Sequence, residues 1–202
     1  MMVCLPARLA FLAMTKAAST AIEAALRPHC DVVMTGDPGI KHMRVRKFNR
    51  TIRPLIEHGD RRIETVAVMR DPVDWLGSWY RYRQRDALAG KANSTADVTF
   101  KAFVEGYLSP DPPVFARVGR PVEFVKGQDG EVGIDHLFRY DDLGAAAKFL
   151  SARIGAEIAF DRLNVSPCST LDLPEELAHR LAVYFTPEYE IYSSIATSSR
   201  AF

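Results

Sequence analysis

A chain of 202 residues is sized for one domain and can bury a substantial core, so residues 1 to 202 are read as a single unit. Its 48% hydrophobic and 25% charged residues are those of a soluble globular protein, and a net charge of +1 argues against a protein built chiefly for nucleic acid. Cys4, Cys30 and Cys168 are odd in number and lack metal-ligand spacing, which favours reduced thiols in a cytoplasmic protein with no metal site.

No run approaches the length of a membrane span, so no membrane partner is expected. A short apolar run, Leu9 to Met14, reads as a buried strand. Thr15 to Ser19 is a tight corner of small and polar residues, and from Thr20 onward the apolar spacing is helical. Strand, small-residue turn with a lysine, then helix is the recipe for a phosphate cradle. Amides at a helix start are unpaired and favour an anion, and Lys16 adds a full charge beside them. Thr20-Ala21-Ile22-Glu23 is equally an ordinary capping box.

Asp31 to Met34 reads as a short strand. Val45, Phe48 and Ile52 then mark a helix that Pro54 should end or kink. Glu64 to Met69 is the next strand, and Pro72 suits the first position of the helix after it. Arg70 stands at that strand's end, and Ser78 lies roughly two turns into the helix. An arginine fork and a hydroxyl converging there would make a second phosphate site.

Residues 85 to 98 read as a loop, and Phe100, Phe103 and Tyr107 as the core face of a helix. The stretch from Ser109 to Pro121 is irregular. Val122 to Val125 and Val132 to Tyr140 flank Gln128-Asp129-Gly130 and predict a peripheral hairpin. Asp141 to Arg153 predicts a helix, and Asp172-Leu173-Pro174-Glu175 caps another, with Leu177, Leu181 and Tyr184 on its apolar face. The alternation of strand and helix predicts an α/β fold, a mostly parallel sheet with helices on both faces.

Lys16-Ala17-Ala18-Ser19-Thr20, followed by Arg70-Asp71-Pro72 and Ser78-Trp79-Tyr80, resembles the sulfotransferase family that uses 3'-phosphoadenosine 5'-phosphosulfate. The first segment is similar to that family's 5'-phosphosulfate loop and the second to its 3'-phosphate site. Many members carry a glycine where this chain has Ala18. The resemblance implies a nucleotide-binding fold of the P-loop type. It also implies that Lys16, Ala17, Ala18, Ser19, Thr20, Arg70 and Ser78 hold the nucleotide, and that Lys16 steadies the leaving oxygen.

The acceptor, a small molecule or a glycan, must lose a proton. His42, after a glycine-containing loop, is the candidate base, and a surface histidine is the plain alternative. Asn164-Val165-Ser166 resembles a segment that closes the nucleotide site in some members, although a plain loop fits it as well. The basic stretch from Lys41 to Arg62 reads as a solvated face, with attraction of an anionic acceptor as the alternative. Two other functions stay open, a small-molecule kinase of the P-loop type and a nucleotide-binding module without catalysis. Against the kinase, no Gly-x-x-x-x-Gly-Lys-Ser/Thr stands in the chain.

Overall fold

A computed structural model describes residues 1–160 and 171–197. The Asn164-Val165-Ser166 segment and Cys168 lie outside the described residues.

Five strands form one mixed sheet in the order β3-β1-β2-β4-β5. They are β1 (Met2–Cys4), β2 (Leu9–Phe11), β3 (Val32–Val33), β4 (Glu64–Met69) and β5 (His136–Arg139). β1 runs antiparallel to both β2 and β3, whereas β2, β4 and β5 pair in parallel. Four strands therefore point one way and β1 the other, so the expected mostly parallel sheet is a mixed one. β1 was not read from the sequence. Its three buried residues, Met2, Val3 and Cys4, are too few to display a period.

The expected peripheral hairpin does not form. Pro121–Val125 is a short helix, because Pro121 starts a turn there and Val122, Phe124 and Val125 bury together. The Gln128-Asp129-Gly130 turn is real, with Gly127 N donating to Glu131 O at 2.7 Å, but one bridge, Lys126 with Val132, is all the pairing it carries. The strand beyond it leaves the turn and joins β4 in parallel, Val66 opposite His136 and Met69 opposite Arg139.

Other expectations fare better. The helix predicted from Val45 runs to Thr51 as α3, and Pro54 sits inside a separate turn, α4 (Arg53–Ile56); the helices before them are α1 (Ser19–Leu26) and α2 (Pro38–Lys41). Beyond β4 come α5 (Pro72–Arg83), α6 (Phe100–Tyr107), α7 (Pro121–Val125), α8 (Leu143–Ile154), α9 (Glu175–Tyr184) and α10 (Thr186–Ser194). Phe100, Phe103 and Tyr107 are core, packed with Trp75, Tyr80, Leu177, Leu181 and Phe185 in one cluster. A larger cluster fills the sheet with Phe11, Leu12, Ile22, Phe48, Val66 and Val68.

Cys4 and Cys30 are joined in a disulfide, with Cα atoms 4.1 Å apart. This corrects the expectation of unpaired thiols. Strand β1 lies beside β3, and Asp31 N donates to Val3 O, so the topology brings the two cysteines together. The basic stretch is mostly a solvated face, with Arg44, Arg46, Lys47, Arg50, Arg61 and Arg62 exposed, while Lys41 and Arg53 are half-buried against Glu23 and Glu57. No helix among the described residues is long and apolar enough to cross a membrane.

Candidate anion cradle and adjoining cavity

β2 and β4 are parallel neighbours, so the segments that follow them leave the sheet at the same end. After β2, Leu12 extends the ladder by donating to Val66 O at 2.8 Å, and Leu12, Ala13 and Met14 stay buried. The chain then turns sharply. Lys16 and Ala18 have φ of 61° and 57°, while Ala17 between them does not share that sign. Alternating backbone sign turns successive N–H groups toward one concavity, the geometry of an anion nest. Ala18 is left-handed, a conformation in which a glycine would be at ease.

α1 starts at Ser19 with Ala18 as its N-cap and no side-chain cap, so the expected capping box is absent. Glu23, buried at 5% exposure, instead accepts from Lys41 Nζ at 2.9 Å and from the Met1 amine at 3.1 Å. Among the described residues the first-turn amides of α1 find no side-chain acceptor. Ser19 is nearly buried and Thr20 is exposed.

The second segment docks on the first. Asp71 caps α5, accepting from Val73 N and Asp74 N at 3.0 Å each. Trp75, held by that helix, donates its indole Nε1–H to Thr15 O at 2.9 Å. Arg70 donates to Lys16 O at 3.3 Å, binds the Asp74 carboxylate, and stacks 4.3 Å from the Tyr140 ring at the end of β5. Three strand ends thus contribute Lys16, Arg70 and Tyr140 to one region. Ser78 is buried one turn beyond Asp74, and it is not among the hydrogen-bond partners of Arg70 among the described residues.

Cations outnumber anions here. Arg70 and Arg81 share Asp74, while Lys16 Nζ lies 3.8 Å from the Tyr82 centroid and 5.5 Å from that of Trp79. Arg85 stacks on the same Tyr82 ring at 4.8 Å. Burial first, then the charges of Arg85, Arg70 and Arg81, push the Lys16 ammonium down to about 8. The chemistry of this donor set suits a multiply charged anion, which would relieve the repulsion among the cations.

His42 sits on the other side of Thr15. Its Nδ1 lies 2.7 Å from Ala13 O. A carbonyl only accepts, so Nδ1 carries the proton and Nε2 of the neutral ring keeps its lone pair. Burial holds the imidazolium pKa below its ordinary value, which keeps that lone pair available at neutral pH. His42 lines a cavity of about 160 Å³ together with Met14, Thr15, Trp75, Trp79, Val118 and Phe124, with Arg44, Gly119, Arg120 and Pro121 completing the wall. Lys16 does not line this cavity; Trp79 touches both the cavity and the Lys16 ammonium.

The sequence reading missed Trp75, Trp79 and Tyr82. Their i, i+4, i+7 spacing on α5 was the available signal for one aromatic face. It missed the irregular wall from 117 to 121 because that segment has no period. The structure fixes it by long-range bonds: Arg83 donates to the carbonyls of Val114, Phe115 and Arg117, Tyr107 to Gly119 O at 2.9 Å, and Arg120 to the fully buried Glu188.

No family model, no curated protein and no solved structure matches the chain.

Proposed function

We propose that the protein is a sulfotransferase that uses 3'-phosphoadenosine 5'-phosphosulfate and passes the sulfuryl group to an acceptor hydroxyl or amine. One observation carries this reading: a nest-forming turn, with Lys16 and Arg70 beside it, at the shared end of two parallel strands. Open α/β sheets bind their ligands outside the carboxyl ends of the strands. In this reading the fold is of the P-loop nucleotide-binding type without that motif's usual glycines.

Residues Lys16, Ala17, Ala18, Ser19 and Thr20 hold the 5' end through backbone amides, the two hydroxyls and the lysine charge. Arg70, its guanidinium already aligned by Asp74 and Tyr140, takes the 3'-phosphate, with Ser78 behind it on α5. When bound, the nucleotide supplies an activated sulfuryl group on a phosphate leaving group. The chain's own work is then alignment and charge stabilisation. Lys16, protonated below pH about 8, supplies a positive charge at the leaving end. His42 receives the acceptor's proton at Nε2, with its ring held by Ala13 O.

Thermal shift tests the reading. Adenosine 3',5'-bisphosphate without magnesium, at about a hundred times its dissociation constant, stabilises the fold by about 2.7 kcal/mol. ATP with magnesium gives no such shift, because Asp71 is committed to the α5 amides. The opposite pair of results overturns the reading in favour of a kinase.

A further inference from the structure

The cavity beside the cradle has a size and a lining that select among acceptors. Its volume of about 160 Å³ is close to the ~150 Å³ apolar cavity that takes up one benzene ring. Met14, Trp75, Trp79, Val118, Pro121 and Phe124 make most of its wall apolar. The polar side chains on the wall are His42, which offers one lone pair at Nε2, Thr15, Arg44, and Arg120, whose Nε and Nη2 are bound to Glu188 and to Tyr184 O.

We propose that this cavity seats a single phenolic ring, carried by a free small molecule or by a tyrosine side chain, as the acceptor of the transfer. Its role as acceptor rests on the proposed function; the seating itself does not. A phenol's hydroxyl donates one hydrogen bond, which matches the lone pair at His42 Nε2. A sugar of the same size brings several more hydroxyls to a wall that is mostly apolar. A saturated alcohol fills the space but meets the aromatic walls without ring–ring contacts. Acidity points the same way. A phenolic proton, with pKa about 10, is far closer to a weakly basic imidazole than an alcohol proton near that of water, about 15.7.

The chain contains two tryptophans, Trp75 and Trp79, and both line the cavity. Tryptophan emission of the free protein therefore reports occupancy directly, with no nucleotide present. Phenol should change that emission saturably, with cyclohexanol and glucose each at least tenfold weaker. Val118 is half-buried on the cavity wall. Val118→Phe should fill the space and weaken phenol at least tenfold, while calorimetry shows unchanged affinity for adenosine 3',5'-bisphosphate. Equal binding of phenol and cyclohexanol, or indifference to Val118→Phe, overturns the inference. A tyrosine peptide that binds as tightly as phenol assigns the ring to a peptide, and failure of the peptide alone assigns it to a free molecule. Loss of phenol binding with the bisphosphate still bound rejects this inference only. Phenol binding without bisphosphate binding rejects the sulfotransferase and leaves a phenol site.

Discussion

At the scale of single residues, Lys16 carries the most testable chemistry. Its folded pKa of about 8 lies below the ordinary 10.5, so the unfolded chain holds more protons between those values. This group therefore makes the free protein gain stability as pH rises from about 8 toward 10.5. Anion binding reverses the balance by favouring the ammonium. Titration with adenosine 3',5'-bisphosphate near pH 8, in buffers of different ionisation enthalpy, should register proton uptake, and affinity should fall above that pH. Lys16→Ala should abolish transfer and leave the urea midpoint of the fold near that of the parent. Ala18 gives a second test. Ala18→Gly should stay within about 1 kcal/mol of the parent, since lost strain and gained chain entropy are of similar size. Ala18→Val forces a β-branched residue into the left-handed region and should cost about 2 kcal/mol in urea unfolding. The place of Lys16 was legible because a cation in the turn after a strand is a local pattern, whereas His42 follows the short helix α2 and not the glycine loop expected before it. That the Lys16 ammonium rests on Tyr82 was not legible, since Tyr82 comes from a helix 66 positions away whose docking no local pattern states.

The element that assembles the site is α5. Its capping aspartate sets where the helix starts, and that start aims Trp75 at Thr15 O. Asp71→Ala removes the acceptor for two amides and should cost about 1 kcal/mol of stability, measured by urea unfolding. Trp75→Phe keeps most of the packing but drops the bond to Thr15, so it should weaken bisphosphate binding more than it lowers stability. Strand-to-helix transitions at Leu9–Leu26 and Glu64–Arg83 were readable from period and proline position. The segment after Pro121 was not, because alternating apolar residues beside a good turn fit both a hairpin and a short helix. Tertiary burial of Val122, Phe124 and Val125 decided in favour of the helix.

Over the whole molecule, the sheet positions everything. The parallel pairing of β2, β4 and β5 brings residues 16, 70 and 140 to one end, a result of register that no single segment encodes. At the opposite end, Glu64 accepts from Arg153 and His136, and the Arg153 bond chiefly holds its carboxyl down to about 2. That depressed pKa contributes stability present above pH about 4.5 and lost as pH falls toward 2. Glu64→Gln should therefore flatten the acid limb of a stability–pH curve. The Cys4–Cys30 bond closes a span of 26 residues, and a loop of that order is worth about 3 kcal/mol. Reduction should lower the urea midpoint, and two of the three cysteines should resist a thiol reagent until then.

The most direct measurement is calorimetric titration of the magnesium-free protein with adenosine 3',5'-bisphosphate beside each adenosine monophosphate. Separate grips on the two ends require the bisphosphate to bind at least tenfold more tightly than either monophosphate, with Arg70→Ala erasing the gain from the 3'-phosphate. Equal affinities for all three nucleotides, or an Arg70→Ala protein that keeps the full gain, would contradict the account.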